Sequence, residues 1–386
     1  MSKRISILGS TGSIGVNALK VSSHLKDELD IIYLSANRNA KLLIQQAKEF
    51  QPKAICIVDE SAFSDVQNAL MHLDIEILTG RESLLELAAR DNVDILLNGL
   101  VGTPGMEPTY KAIEAGIDVA LSNKESLVMA GDIIQKAMDK SGAKLFPVDS
   151  EHSAIWQCLV GENIDDVRCL ILTGSGGPFR TRDITTFDNI TVEEALNHPN
   201  WDMGRKITID SATMMNKGLE FIEACWLFDA RPDQVEVLLH PESVVHSMVE
   251  YIDGSVVAQM GNPDMRTPIA YGLGWPDRVE SGVPLLDLVK TGGLHFEEPD
   301  LQRFPALALS RQAMETGKSA SIVLNAANEV AVEAFLNERI RFTEITEVID
   351  DVLQASEWIL PDSIDIVLSV DEDARRRAQE CVNKLK

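Results

Sequence analysis

The sequence predicts an α/β protein with an N-terminal doubly wound parallel sheet, a central α/β domain with a second sheet, and a C-terminal all-helical domain. Three observations carry that expectation. An apolar run at 4–8 ends in a glycine-rich turn and gives way to an amphipathic pattern; apolar runs and helical patterns then alternate as far as residue 148; and beyond residue 304 only helical periodicity is left. Short β-branched runs alternating with longer helical stretches are the mark of parallel strands joined by crossover helices. The expected division is 1–149, 150–274, a linker at 275–301 rich in Pro, Gly and turn residues, and 302–386.

The first domain is read in chain order. Its first strand runs into Gly9-Ser10-Thr11-Gly12-Ser13-Ile14-Gly15 and an amphipathic helix reaching about residue 24. Glycines permit a tight turn and close backbone approach, and amides at a helix N-terminus can bind a pyrophosphate, which makes the unit Rossmann-like. The spacing is GxxGxxG in place of the commoner GxGxxG, and by itself it is weak evidence against a merely tight turn. Strands are expected at 31–35, 54–59, 93–98, 118–122 and 144–148, with helices at 40–50 and 83–90 between them. The second strand of such a sheet usually closes on an acid that accepts from the adenosine ribose, but here Ser35-Ala36-Asn37-Arg38-Asn39 follows. Arg38 suits a 2′-phosphate, which favours NADPH over NADH; a solvated loop arginine is the alternative. Ser122-Asn123-Lys124-Glu125 and Asp149-Ser150-Glu151-His152 close two further strands, and strand carboxyl ends border the ligand crevice of an open parallel sheet.

Asp149 and Glu151 are two apart, so in an extended segment they point the same way and need a counter-charge. A hard divalent cation, Mg²⁺ or Mn²⁺, supplies one, with Glu220 as the expected third ligand; helix capping by the two acids is the competing reading. The histidines form no HExxH-like pair, so a zinc site is not expected. An apolar strand at 167–173 ends in Gly174-Ser175-Gly176-Gly177-Pro178, either a plain turn or a cradle for an anion. Ser211, Asn216 and Lys217 can add a hydroxyl, an amide and a charge to that anion, and a phosphorylated substrate follows. Asn216, Lys217 and Glu220 fall on one helical face. Before them, His198, Pro199, Asn200, Trp201, Met203 and Gly204 suit a mobile flap, expected at 198–206.

Strands are expected at 234–240, 244–251 and 256–260, the last two joined by an Asp253-Gly254 hairpin, forming a second sheet with a dimer contact. Asn262-Pro263-Asp264-Met265-Arg266 is a further polar motif in which Met265 either covers a ligand or packs. Helices are expected at 319–338 and 374–384, where Asn325 and Asn328 are the unusual polar pair.

With 386 residues, 45% of them hydrophobic, the chain can bury a large core. A formal charge of −25 argues against nucleic acid or an anionic membrane as partner. No apolar run approaches the roughly 20 residues of a membrane span and the N-terminus reads as a strand, so the expected compartment is the cytoplasm. Five scattered cysteines without a CxxC pair read as reduced core thiols.

Gly9 to Gly15, Asn123-Lys-Glu125, Pro147 to His152, Leu172 to Phe179 and the block from His198 to Glu220 closely resemble the 1-deoxy-D-xylulose 5-phosphate reductoisomerase family. The resemblance continues through His240 to His246, Pro263 to Ala270 and Leu324 to Glu329. It implies conversion of 1-deoxy-D-xylulose 5-phosphate to 2-C-methyl-D-erythritol 4-phosphate with NADPH and a divalent metal, in the non-mevalonate route to isoprenoids, by a homodimer. It implies metal ligands at Asp149, Glu151 and Glu220. Substrate contacts are implied at Ser175, Ser211, Asn216 and Lys217 around the phosphate, and at Lys124, Ser150, Glu151 and His198 near the reacting end under Trp201. Lys124 and His198 join the metal ligands as the catalytic set. Cofactor positions are implied at Thr11, Gly12, Ser13, Ile14, Asn37, Arg38, Asn39, Asn123, Glu125 and Gly204. The family's second-strand loop commonly begins with Gly where this chain has Asn37. Two other functions stay open on residues alone: a metal-independent NADPH dehydrogenase of a semialdehyde or sugar, which leaves the three acids unexplained, and a non-catalytic NADPH-binding module, which has no use for a flap.

Overall fold

The computed structural model describes residues 2–201 and 203–385, so Asp202 of the expected flap and the terminal Met1 and Lys386 lie outside the described residues. The chain divides into two compact units, one made of Met1–Ser126, Ile134–Ser153 and Asp264–Pro284, the other of Leu127–Ile133, Ala154–Pro263 and Leu285–Lys386.

The first unit is built on seven strands, β1 (Lys3–Leu8), β2 (Leu29–Ala36), β3 (Ala54–Ile57), β4 (Glu76–Thr79), β5 (Ile95–Asn98), β6 (Asp118–Leu121) and β7 (Leu145–Pro147). Their order is β4-β3-β2-β1-β5-β6-β7, and every neighbouring pair is parallel. Ile5 pairs with Ile31 on one side and Ile95 on the other, so the order reverses at β1 and opens a crevice at its carboxyl end. Ile5, Ile7 and Leu8 are wholly buried, as a central strand covered on both faces requires. β4 was not expected: Glu-Ile-Leu-Thr is four residues long, partly exposed and at the sheet edge, too short to show a period.

The helix Arg266–Gly274 also belongs to this unit, where it packs on the helix Ser13–His24 and Lys3 donates to the carbonyls of Leu273 and Trp275, both at 2.8 Å. The expected central domain, running to 274, therefore gives its last helix to the first unit, and the expected linker 275–301 is divided between the two.

The second unit holds β8 (Val167–Gly174), β9 (Val235–Leu239), β10 (Val245–Tyr251) and β11 (Val256–Met260) in the order β11-β10-β8-β9. β8 and β9 are parallel and the other pairs antiparallel. Well after β11 come the helices Pro305–Thr316, Ala320–Leu336, Glu344–Gln354 and Ile364–Lys384. The last begins ten residues before the expected start, capped by Ser363, whose Oγ accepts from Ile366 N at 3.4 Å. One continuous apolar cluster runs from Leu170, Leu172 and Val237 of the sheet through Leu219 and Phe221 to Leu324, Ile345 and Val382. The C-terminal helices thus share a core with the second sheet, which is why they do not separate as a domain of their own. None of the described helices is long and apolar enough to cross a membrane.

Candidate functional site

In the first unit the crevice is lined by backbone that only glycine could form. Gly9 has φ +77°, and a Cβ there would stand 2.9 Å from the carbonyl oxygen of Gly99, on the neighbouring strand end. A Cβ at Gly15 would stand 2.4 Å from Ser10 Cα, so the helix Ser13–His24 seats directly on its own loop. Gly12 donates to Gly9 O at 3.0 Å and precedes that helix without a side-chain cap. Thr11, Gly12, Ser13 and Ile14 line this partly exposed N-terminus, whose amide dipoles favour an anion. Beyond β2, the Arg38 guanidinium is 82% exposed and stands 3.5 Å from Asp59, while Asn37 O accepts from Asp59 N at 2.9 Å. Asn39 caps the helix Ala40–Phe50, its Oδ1 accepting from Leu42 N at 3.2 Å.

Asn123 is buried, and its amide donates to the carbonyls of Leu100 and Gly102 and to Glu125, while its Oδ1 accepts from Ser126 N and Oγ. Those bonds pin the loop after β5, which sequence reasoning had passed over. Asn98 secures the same loop, its Oδ1 accepting from Leu100 N at 3.1 Å and its Nδ2 donating to Gly105 O at 2.8 Å. The Asn98-Gly99-Leu100 strand end was the available signal.

Lys124 is buried and paired with Asp149. The helix Ser150–Leu159 begins one residue after Asp149, which corrects the expectation of an extended segment. Asp149 and Glu151 meet across a strand-to-helix turn, and not by strand alternation. Asp149 Oδ1 accepts from the adjacent Ser150 N at 3.0 Å, and its Oδ2 meets Lys124. Ser150 Oγ donates to Glu151 at 2.6 Å, and carboxylate oxygens of Asp149 and Glu151 lie within 4.8 Å of each other. Two oxygen donors at that separation fit one hard cation.

In the second unit the strand-end loop Gly174–Gly177 packs where side chains would collide. A Cβ at Gly177, φ +67°, would stand 2.7 Å from Ser211 O, and one at Gly174 would meet Lys217 Cε at 3.0 Å. The helix Arg205–Ala212 starts at Gly204 and carries Ser211, so the last two residues of the expected 198–206 flap are helical. Met214, φ 64°, turns the chain into the helix Met215–Leu227. On its first turns Lys217, 5% exposed, donates to Thr173 O at 2.8 Å and pairs with Glu220, which is fully buried and also bonded by Asn216. The shared face expected for Asn216, Lys217 and Glu220 is present.

His198 Nδ1 accepts from the backbone N–H of Asn200 at 3.2 Å and of Trp201 at 3.0 Å. The ring is therefore neutral, with its proton on Nε2, 3.2 Å from Ser175 Oγ. Burial, and then the Lys217 charge, push its pKa down to about 4. Ser175 Oγ also accepts from Gly177 N at 3.2 Å, so its own proton is left to donate. Asn200 donates to Pro241 O at 2.9 Å and Ser243 Oγ at 2.8 Å, and Trp201 lies 6.4 Å from the His246 ring. Asp264 and Arg266 of the other polar motif pair with each other at 2.6 Å. The free cysteines Cys56 and Cys225 have thiols pushed up to about 12 by burial, so they stay protonated.

A doubly wound sheet with a glycine-built anion cradle, paired carboxylates and a buried ammonium defines a nucleotide-dependent oxidoreductase of the α/β class. Residues 5–131 match the family model for 1-deoxy-D-xylulose 5-phosphate reductoisomerase, residues 145–228 that for its C-terminal domain, and residues 260–377 a further model described as the DXP reductoisomerase C-terminal domain. The 1-deoxy-D-xylulose 5-phosphate reductoisomerase of Nitrosococcus oceani is 50% identical over 98% of this chain and 99% of its own. A solved structure of the 1-deoxy-D-xylulose 5-phosphate reductoisomerase from Zymomonas mobilis in complex with NADPH is 43% identical, with TM-score 0.94 over 99% of both chains. Another, in complex with NADPH, fosmidomycin and magnesium, is 42% identical with TM-score 0.94 over 99% of this chain and 98% of that one. The chain belongs to the 1-deoxy-D-xylulose 5-phosphate reductoisomerase family. It is an NADPH- and magnesium-dependent oxidoreductase that converts 1-deoxy-D-xylulose 5-phosphate to 2-C-methyl-D-erythritol 4-phosphate in isoprenoid biosynthesis.

Proposed function

We propose that this reaction is divided among the residues as follows. Asp149, Glu151 and Glu220 bind the divalent ion. Thr11, Gly12, Ser13, Ile14, Asn37, Arg38, Asn39, Asn123, Glu125 and Gly204 hold NADPH, with Asn123 acting through the Leu100–Gly102 backbone that its amide secures. Ser175, Ser211, Asn216 and Lys217 bind the substrate phosphate. Lys124, Ser150 and Glu151 face the reacting end, and His198 and Trp201 cover it. The supporting observation is the first two turns of the helix Met215–Leu227, which bury an ammonium and a carboxylate beside an amide. Such groups are costly to bury unless paired, and Lys217 is paired with Glu220.

When bound, the metal supplies a charge for the substrate's ketone and hydroxyl oxygens and NADPH supplies hydride. The chain does the rest by placement. Ser175 donates its hydroxyl proton to a phosphate oxygen, since its lone pairs already accept from His198 and Gly177. His198 cannot serve as a base through Nδ1, which holds two amides, and works as a neutral donor through Nε2. Lys124 pairs with Asp149 and fixes where its carboxylate stands. The His198 segment, bonded to Pro241 and Ser243 through Asn200, keeps water from the reacting carbon skeleton. We place the enzyme in the cytoplasm, as a homodimer with the exposed Val256 and Val257 of the β11 edge in the contact.

Inorganic phosphate, as a competitor of the substrate, tests the phosphate assignment. In Ser175→Ala and Ser211→Ala its inhibition constant rises by roughly tenfold, the worth of one charge-assisted hydrogen bond. Inhibition constants equal to those of the unaltered chain contradict the assignment.

A further inference from the structure

The sequence singled out Asn325 and Asn328, and nothing above uses them. Both lie on the helix Ala320–Leu336 and are fully buried. Asn328 Nδ2 donates to Asp210 Oδ1 at 2.9 Å, across 118 residues of sequence. Asp210 is itself only 1% exposed, and its other oxygen pairs with Lys206 at 2.8 Å. Asn325 donates to Glu329 at 3.3 Å, which Arg375 ties to the last helix at 2.5 Å. The Oδ1 atoms of Asn325 and Asn328 are buried with no hydrogen-bond partner among the described residues. The buried face of this helix thus carries two amides whose acceptor atoms are left unsatisfied among the described residues, which costs stability. Apolar side chains would pack there at no such cost.

The cost has a geometric return. Asp210 immediately precedes Ser211, and both ride on the helix Arg205–Ala212, which starts at Gly204. Gly177 presses on that helix at Ser211 O, and Asn328 grips it at Asp210. A carboxylate this buried is held in place by its partners, because displacing it leaves a charge unpaired. The geometry points to Asn328 as a positioning residue that sets where the Ser211 hydroxyl stands, acting through Asp210 from the C-terminal helices. This rests on the reading that Ser211 binds the substrate phosphate. Asn328 acts on the helix through the Asp210 side chain, one residue before Ser211.

The test compares steady-state constants of the full-length enzyme with inorganic phosphate as probe. Asn328→Leu keeps a branched side chain of four heavy atoms and removes the donor. It is expected to raise the KM for 1-deoxy-D-xylulose 5-phosphate and the inhibition constant of phosphate together, by roughly tenfold, with kcat changed much less. The exchanged pair Asp210→Asn with Asn328→Asp restores a bond of the same length and brings both constants back. A folded Asn328→Leu with both constants unaltered, or with kcat reduced and both constants unaltered, overturns the inference. So does a folded exchanged pair whose constants stay raised. Should Asn328→Leu fail to fold, Asn328→Ser is read by the same criterion. Ser211→Ala runs beside them: if it raises neither constant, the phosphate reading itself fails, and if it raises both while Asn328→Leu raises neither, only the present inference fails.

Discussion

His198 shows how much of the chemistry is decided by single hydrogen bonds. Its Nδ1 is held by two backbone amides and its pKa is pushed from 6.5 down to about 4, chiefly by burial and then by Lys217. The expected outcome is an imidazole that stays neutral across the working pH range. A ¹⁵N-edited NMR titration of the apoenzyme should place its midpoint near 4, and a midpoint near 6.5 contradicts the hydrogen-bonding scheme. The folded value lies below the unfolded one, so the unfolded chain takes up the proton first. The contribution of His198 to stability is therefore complete above about pH 6.5, declines as pH falls, and is gone below about 4. At this scale, local spacing was legible and long-range pairing was not. Asn216, Lys217 and Glu220 could be placed on one face because helical periodicity spans four residues. The Asn328 to Asp210 bond joins residues 118 apart, and no local pattern announces it.

Loops and helix starts are where elements meet the ligands, and glycine decides them. Gly177→Ala combines a φ of +67° with a Cβ 2.7 Å from the backbone oxygen of Ser211, neither of which can relax cheaply. We expect it to cost about 1–3 kcal/mol in urea unfolding and to weaken substrate binding. Gly174→Ala meets the Lys217 side chain at 3.0 Å but has no positive φ to strain, and should cost less in the same titration. Equal costs would contradict the packing described here. Most elements were legible because the apolar runs of β1, β2 and β8 are long enough to stand out. β4 was not, having four residues at a sheet edge. The start of the helix at Ser150 was not either, because Asp149-Ser150-Glu151 reads equally as a strand end until the backbone turns. That misreading left the proposed metal ligands unchanged and altered the reason they stand together.

Across the whole molecule the reading of three domains gives way to two units, since burial between distant segments cannot be seen along the chain. Leu324 makes the point: it sits on a C-terminal helix yet is fully buried in the cluster that contains Leu172 and Leu219. Leu324→Ala is expected to destabilise the second unit by about 2–5 kcal/mol and to lower the thermal midpoint at which activity is lost. An unaltered midpoint would mean that the helices fold apart from the sheet. With a formal charge of −25, the molecule draws an anionic sugar phosphate by a few local cations against its own field. The central claim, that cofactor, metal and phosphorylated sugar act on one another in this chain, is tested most directly by following the absorbance of NADPH. Oxidation should require both 1-deoxy-D-xylulose 5-phosphate and magnesium, stop when a chelator is added, and resume when magnesium is restored in excess. Oxidation that continues at the same rate in chelator, or that needs no deoxyxylulose phosphate, would contradict it.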